Sequence, residues 1–161
     1  MIIRPDDPIA TEAWRREASH HEGHRNFRPH LRPIGANLMG LRGEQAFGER
    51  YGIPVNLEPK LGGDGGRDLR VPVRAVLPVD CKAAVFPKDL IVEAERTKPW
   101  TIYVLCRYLE GEDRCELLGW QWGRILMRSE PKDYGYGVLN HWQPRALIRP
   151  MTDLDACVLL P

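Results

Sequence analysis

The run TIYVLCRY, Thr101–Tyr108, constrains the fold more than any other stretch of the chain. It is nearly continuous in β-branched and aromatic residues. Such a strand hides both of its faces, so it belongs at the centre of a sheet covered on each side. Cys115–Trp120 (CELLGW) pairs back to it across a turn at Glu110–Asp113, and Leu90–Glu93 reads as a further short strand. Leu69–Val73 and Leu77–Ala84 read as a hairpin, with Pro72 and Pro78 marking edges or bulges. Asn37–Tyr51 is the strongest helix, with Asn37 as an N-cap and Gly52-Ile53-Pro54 as its stop. A shorter helix is expected from Trp14 to about His24, after an extended lead-in over residues 1–13. Gln121–Arg128 reads as a short helix, followed by the loop DYGYG and a final mixed segment. The expected fold class is α/β (α+β): one domain, a central mixed β-sheet flanked by helices.

The chain of 161 residues is long enough to bury a core without staples, and 43% hydrophobic with 28% charged residues is ordinary for a globular protein. No apolar run approaches membrane-spanning length, and MIIRPDDP lacks a signal peptide's basic start and apolar stretch. A cytoplasmic protein with no membrane partner is therefore expected. The four cysteines (81, 106, 115, 157) form no CxxC pair, which argues against a zinc ribbon, and free thiols are expected in a reducing compartment.

Net charge is only +1, but its distribution is uneven. Trp14–Gly43 carries six arginines (15, 16, 25, 28, 32, 42) against two glutamates (17, 22). Residues 1–36 are accordingly expected to form a basic arm and helix packed on the domain of residues 37–161. Arg25, Arg28, Arg32 and His24 are candidate contacts to a phosphate backbone; a solvated arm is the plainer reading. His20, His21, His24 and His30 cluster without the further ligands a zinc site needs. Trp120, Trp122 and Trp142 could stack bases, with core packing favoured for at least two of them.

The chemistry concentrates in GRDLRVPVRAVLPVDCKAA, residues 66–84. Asp80 and Lys82 are two apart on a strand and share a face, with Cys81 on the other. If the hairpin is centred near Arg74, Asp68 falls opposite Asp80. Two carboxylates that close repel unless a cation or proton intervenes, and an oxygen-rich cluster suits Mg²⁺. On the helical wheel Glu44 lies with Phe47 and Tyr51, toward the sheet, so it is expected to converge with the inward-facing Asp80 and Lys82.

Glu44 on a helix, Asp68 after a glycine turn and Asp80-Cys81-Lys82 on the next strand resemble the PD-(D/E)xK nuclease superfamily. Arg67-Asp68 stands where that family has Pro-Asp. GEQAFGERYG, GGDGGRDLRV, VDCKAA, IYVLCRY and CELLGW, in this order, resemble small phage and prophage members over roughly residues 40–123. The resemblance implies a restriction-endonuclease-like core in residues 37–161 and Mg²⁺- or Mn²⁺-dependent hydrolysis of DNA, with branched or recombination intermediates among the substrates. It implies a bacterial host cytoplasm for a phage-encoded chain, and it leaves a homodimer open. Residue by residue, it makes Asp68, Asp80 and the Cys81 backbone carbonyl metal ligands. Glu44 serves a second metal or its waters, and Lys82 orients the attacking water. Taken singly, Asp68 reads as a turn aspartate with Asp64 as a rival ligand, Glu44 as a half-exposed helix residue and Lys82 as a snorkelling lysine. The alternative function is a DNA- or protein-binding module that keeps the fold without turnover.

Overall fold

The computed structural model describes residues 7–21, 33–55, 69–72, 76–135 and 137–158. Helix α1 spans Pro8–His21 and α2 Pro33–Tyr51. Strands follow at Leu69–Pro72 (β1), Val76–Ala84 (β2), Asp89–Glu93 (β3), Ile102–Leu109 (β4) and Arg114–Trp122 (β5). The chain continues through α3 (Gly123–Leu126), β6 (Lys132–Asp133), β7 (Leu139–Pro144) and α4 (Met151–Asp155).

β1, β2, β4 and β5 form one mixed sheet in that order. β2 runs parallel to β4, while β1–β2 and β4–β5 are antiparallel. As TIYVLCRY requires, β4 is central and buried over most of its length, with Ile102, Val104 and Cys106 on one face and Tyr103 and Leu105 on the other. α2 covers the first face, where Phe47 and Tyr51 pack with Val79, Cys81 and Trp120. The second face is covered by elements that bring Leu90, Val92 and Leu126 onto Tyr103 and Leu105. α1 lies on α2 through Ile9, Ala10 and Ala13 against Leu38 and Leu41.

Several local expectations change, each for a nameable reason. Helix α1 begins at Pro8 rather than Trp14. The Asp7 carboxylate accepts the Ile9 and Ala10 amide hydrogens at 3.0 and 3.3 Å, and proline suits the first helical position. α2 starts at Pro33, four residues before the expected cap at Asn37. Its end is as expected: Gly52 takes φ +66° and the Ile53 N–H donates to the Gly48 carbonyl at 2.8 Å, a Schellman stop. Gln121 and Trp122 extend β5 instead of opening a helix, which starts only at Gly123. A Cβ on Gly123 would sit 1.9 Å from the Lys98 carbonyl oxygen.

A second sheet, β3–β7–β6, replaces the single sheet expected. Leu90 pairs with Gln143 across a long sequence separation. Pro78 is tolerated because pairing with β4 begins only at Val79. Trp120 is core, and Trp122 and Trp142 are half-buried. All four cysteines are free. No described helix is long and apolar enough to cross a membrane.

Candidate functional site

The described β1–β2 register runs from Leu69–Val79 to Pro72–Val76, a pairing centred on position 74. That is the centre from which the sequence sets Asp68 opposite Asp80. Asp68 itself, with its rival Asp64, lies outside the described residues, as do Arg25, Arg28, Arg32 and His24.

Asp80 and Lys82 are described. β2 pairs with β4 in parallel register, Asp80 with Tyr103 and Lys82 with Leu105, so both side chains stand on the Tyr103 face. The Lys82 Nζ lies 2.9 Å from Asp80 Oδ2, and the side chains are 38% and 17% exposed respectively. The pair is therefore reachable from solvent without being a fully solvated surface bridge. Tyr103 feels it: burial pushes the phenol's pKa up, the Lys98 amide that donates to its hydroxyl pulls it down, and the Asp80 charge raises it further.

Cys81 points the other way, into the layer beneath α2. A Cβ built on Gly43 would lie 3.3 Å from both Cys81 Cβ and Cys106 Sγ, so this glycine lets the helix sit closely on the strand. Glu44 follows it on α2, half-buried, with Oε2 withdrawn from solvent. The Cys81 thiol reports both carboxylates. Its hydrogen bond to Cys106 pushes its pKa up first, burial second, and the charges of Cys106, Glu44 and Asp80 add to the rise.

Glu44 thus approaches β2 from the α2 face, while Asp80 and Lys82 occupy the opposite face. The expected convergence on one face does not occur: alternation along β2 sends Cys81, not Asp80 or Lys82, toward the helix. β1 pairs with β2 only through Val79, and among the described residues no strand pairs with Asp80–Ala84 on that side. β2 carries a carboxylate held by an ammonium on one face, with a second carboxylate behind the other. Such an arrangement can bind a phosphate oxygen, hold a water in hydrogen bonds or offer hard oxygen donors to a cation.

Of the basic segment, two members are described well enough to place, and neither is a loose phosphate contact. Arg15 pairs with Glu12. Arg42 is buried and joins Asp7, Asp113 at 2.7 Å and Gln45 at 2.9 Å. Sequence reasoning missed this network because its partners lie 35 and 71 positions away. It also missed Tyr103 beside Asp80. Only the parallel register puts these two residues on one face, and no local pattern encodes it.

Comparison with known proteins adds no relative to this description: no family model, no curated protein and no solved structure matches the chain.

Proposed function

We propose that the protein is a divalent-metal-dependent nuclease that hydrolyses DNA phosphodiester bonds, built on a restriction-endonuclease-like core. The observation that carries this reading is the 2.9 Å contact between Asp80 and Lys82 on β2 of the central sheet, with Glu44 behind the same strand. The ordered resemblance of residues 40–123, which includes the same Glu44, Asp80 and Lys82, points the same way.

Asp80 supplies the hard oxygen that Mg²⁺ or Mn²⁺ requires. The described residues by themselves gather no group of three His, Cys, Asp or Glu able to hold a metal. The proposed set therefore depends on Asp68, joined by the Cys81 carbonyl, with Glu44 as an outer partner. A bound metal would supply charge neutralisation at the phosphoryl oxygens and a more acidic water. The chain's own part is positional. Lys82 has three N–H donors, and with one directed at Asp80 two remain for a phosphate oxygen and the attacking water. Its positive charge also favours the extra negative charge that develops on the phosphoryl group. Asp80 fixes the lysine's position, so losing Asp80 should disturb the role of Lys82 as well.

One observation favours the non-catalytic reading: an ammonium already paired with Asp80, and Glu44 on the opposite face, is also what a structural ion pair looks like. Calorimetric titration with Mg²⁺ and Mn²⁺ separates the two. Metal binding that is lost in Asp80→Asn and kept in Lys82→Ala supports the nuclease. No binding at millimolar metal in the wild type makes the binding module the better account.

A further inference from the structure

Trp100 ends the connection into β4 and is 60% exposed. Arg124, in α3, places its guanidinium carbon 5.5 Å from the centroid of the Trp100 ring and 5.4 Å from that of Trp122. The backbone fixes this group: the Arg124 N–H donates to the Pro99 carbonyl at 3.0 Å and the Gly123 N–H to the Thr101 carbonyl at 2.9 Å. The tight approach of Gly123 to Lys98 locks the same corner. Arg50, Arg96, Arg107, Arg114 and Arg149 each pair with a carboxylate. Arg124 instead rests on two indoles. Neither it nor the exposed Lys98 and Arg128 has an acidic partner among the described residues.

A largely exposed indole and a guanidinium without an acidic partner, held against each other, match a ligand that is flat and anionic. A nucleobase with its phosphate is such a ligand, but only when unpaired, because duplex stacking covers both faces of each base. Ile102 pairs with Val79 on one side and Trp122 on the other, so about two strand spacings, roughly 10 Å of backbone, separate Trp122 from the start of the Asp80–Lys82 segment. Trp122 lies on the Ile102 face and the ion pair on the Tyr103 face.

We propose that Trp100, Arg124 and Trp122 form a stacking site for an unpaired nucleobase, which makes DNA with a single-stranded segment the preferred substrate class. The stacking site stands on its own geometry, while the word substrate rests on the nuclease reading above.

The test is fluorescence anisotropy in metal-free buffer with labelled oligothymidylate and a blunt duplex of equal length. It uses wild type, Trp100→Ala, Trp100→Phe and Arg124→Gln, each checked for an unchanged melting temperature. Trp100→Ala should weaken oligothymidylate binding about tenfold and duplex binding little, since base–aromatic stacking is sequence-tolerant and face-specific. Trp100→Phe should restore most of the loss, and oligothymidylate should quench the wild-type tryptophan fluorescence. Three results overturn the site: unchanged single-strand affinity in Trp100→Ala, an equal loss on duplex, or a wild-type self-association that Trp100→Ala abolishes. Selective single-strand loss in a protein that cleaves nothing removes the nuclease and keeps the site. Cleavage with unchanged single-strand affinity does the reverse.

Discussion

Replacing Arg42 by alanine should cost stability rather than DNA affinity. The guanidinium is 9% exposed and bridges Asp7 at the start of α1, 18% exposed, to Asp113 in the β4–β5 turn, 34% exposed. Hydrogen bonds to charged groups contribute about 1.5–3 kcal/mol each, and the Asp113 contact belongs at the low end because solvent screens it. Truncation also leaves two carboxylates without their shared cation. The expected loss is about 3 kcal/mol, the lower bound for breaking a buried ion pair. In a chain of this size it corresponds to about 6–12 °C in melting temperature.

The network should also carry a pH signature. Burial raises the pKa of Asp7, but Arg42 and the Ala10 and Ile9 amides outweigh it and hold the carboxyl below its ordinary 3.8. Its contribution is therefore fully present above that value and is lost as pH falls through the lower, folded-state value. The assay is urea unfolding of wild type, Arg42→Ala, Asp7→Asn and the double variant at neutral and acid pH. A loss below about 1 kcal/mol, or no coupling between the two substitutions, would refute the network. A flattened salt dependence of DNA binding with unchanged stability would return Arg42 to the basic arm.

Gly123→Ala should destabilise by about 1–3 kcal/mol or more, read by thermal melting, because its Cβ would meet the Lys98 carbonyl at 1.9 Å. Of the four thiols, exposed Cys157 should react at once with a thiol reagent at pH 8. Cys81, Cys106 and Cys115 should react only on unfolding, since all three are buried and burial pushes the Cys115 thiol up to about 12. Replacing Arg25, Arg28 and Arg32 together by alanine should reduce the salt slope of DNA binding by roughly 0.9 for each phosphate contact removed. An unchanged slope would make that segment a solvated arm.

What the sequence made legible follows from how local each signal is. TIYVLCRY declares a central strand through composition alone, and Gly52-Ile53-Pro54 stops α2 within its own last turn. The β1–β2 register follows from counting outward from Arg74. Asp80 and Lys82 share a face because a strand alternates. The rest depends on partners distant in the chain. β3 gains its place only by pairing with β7, from Asp89 opposite Pro144 to Glu93 opposite Asn140, and five residues carry no mark of that partner. The face shared by Asp80 and Tyr103 depends on a parallel crossover register. Arg42 looks like one more arm cation until the fold delivers Asp7 and Asp113 to it. The start of α1 is legible in principle, because Asp7 followed by Pro8 is a helix-entry signal.

The central claim is that Asp80 and Lys82 belong to a reaction centre, and cleavage tests it most directly. Wild type, Asp80→Asn and Lys82→Ala should be incubated with linear duplex, single-stranded, forked and four-way junction DNA, and with RNA, in Mg²⁺, Mn²⁺ and Ca²⁺. Binding is followed on the same substrates. The account predicts that wild type cuts DNA in Mg²⁺ or Mn²⁺ and binds with little cutting in Ca²⁺, whose looser coordination positions water poorly. Both variants should remain folded and bind DNA without cutting it. Wild type that binds DNA yet cuts no substrate in any metal, or an Asp80→Asn variant that cuts as fast as wild type, would contradict the account.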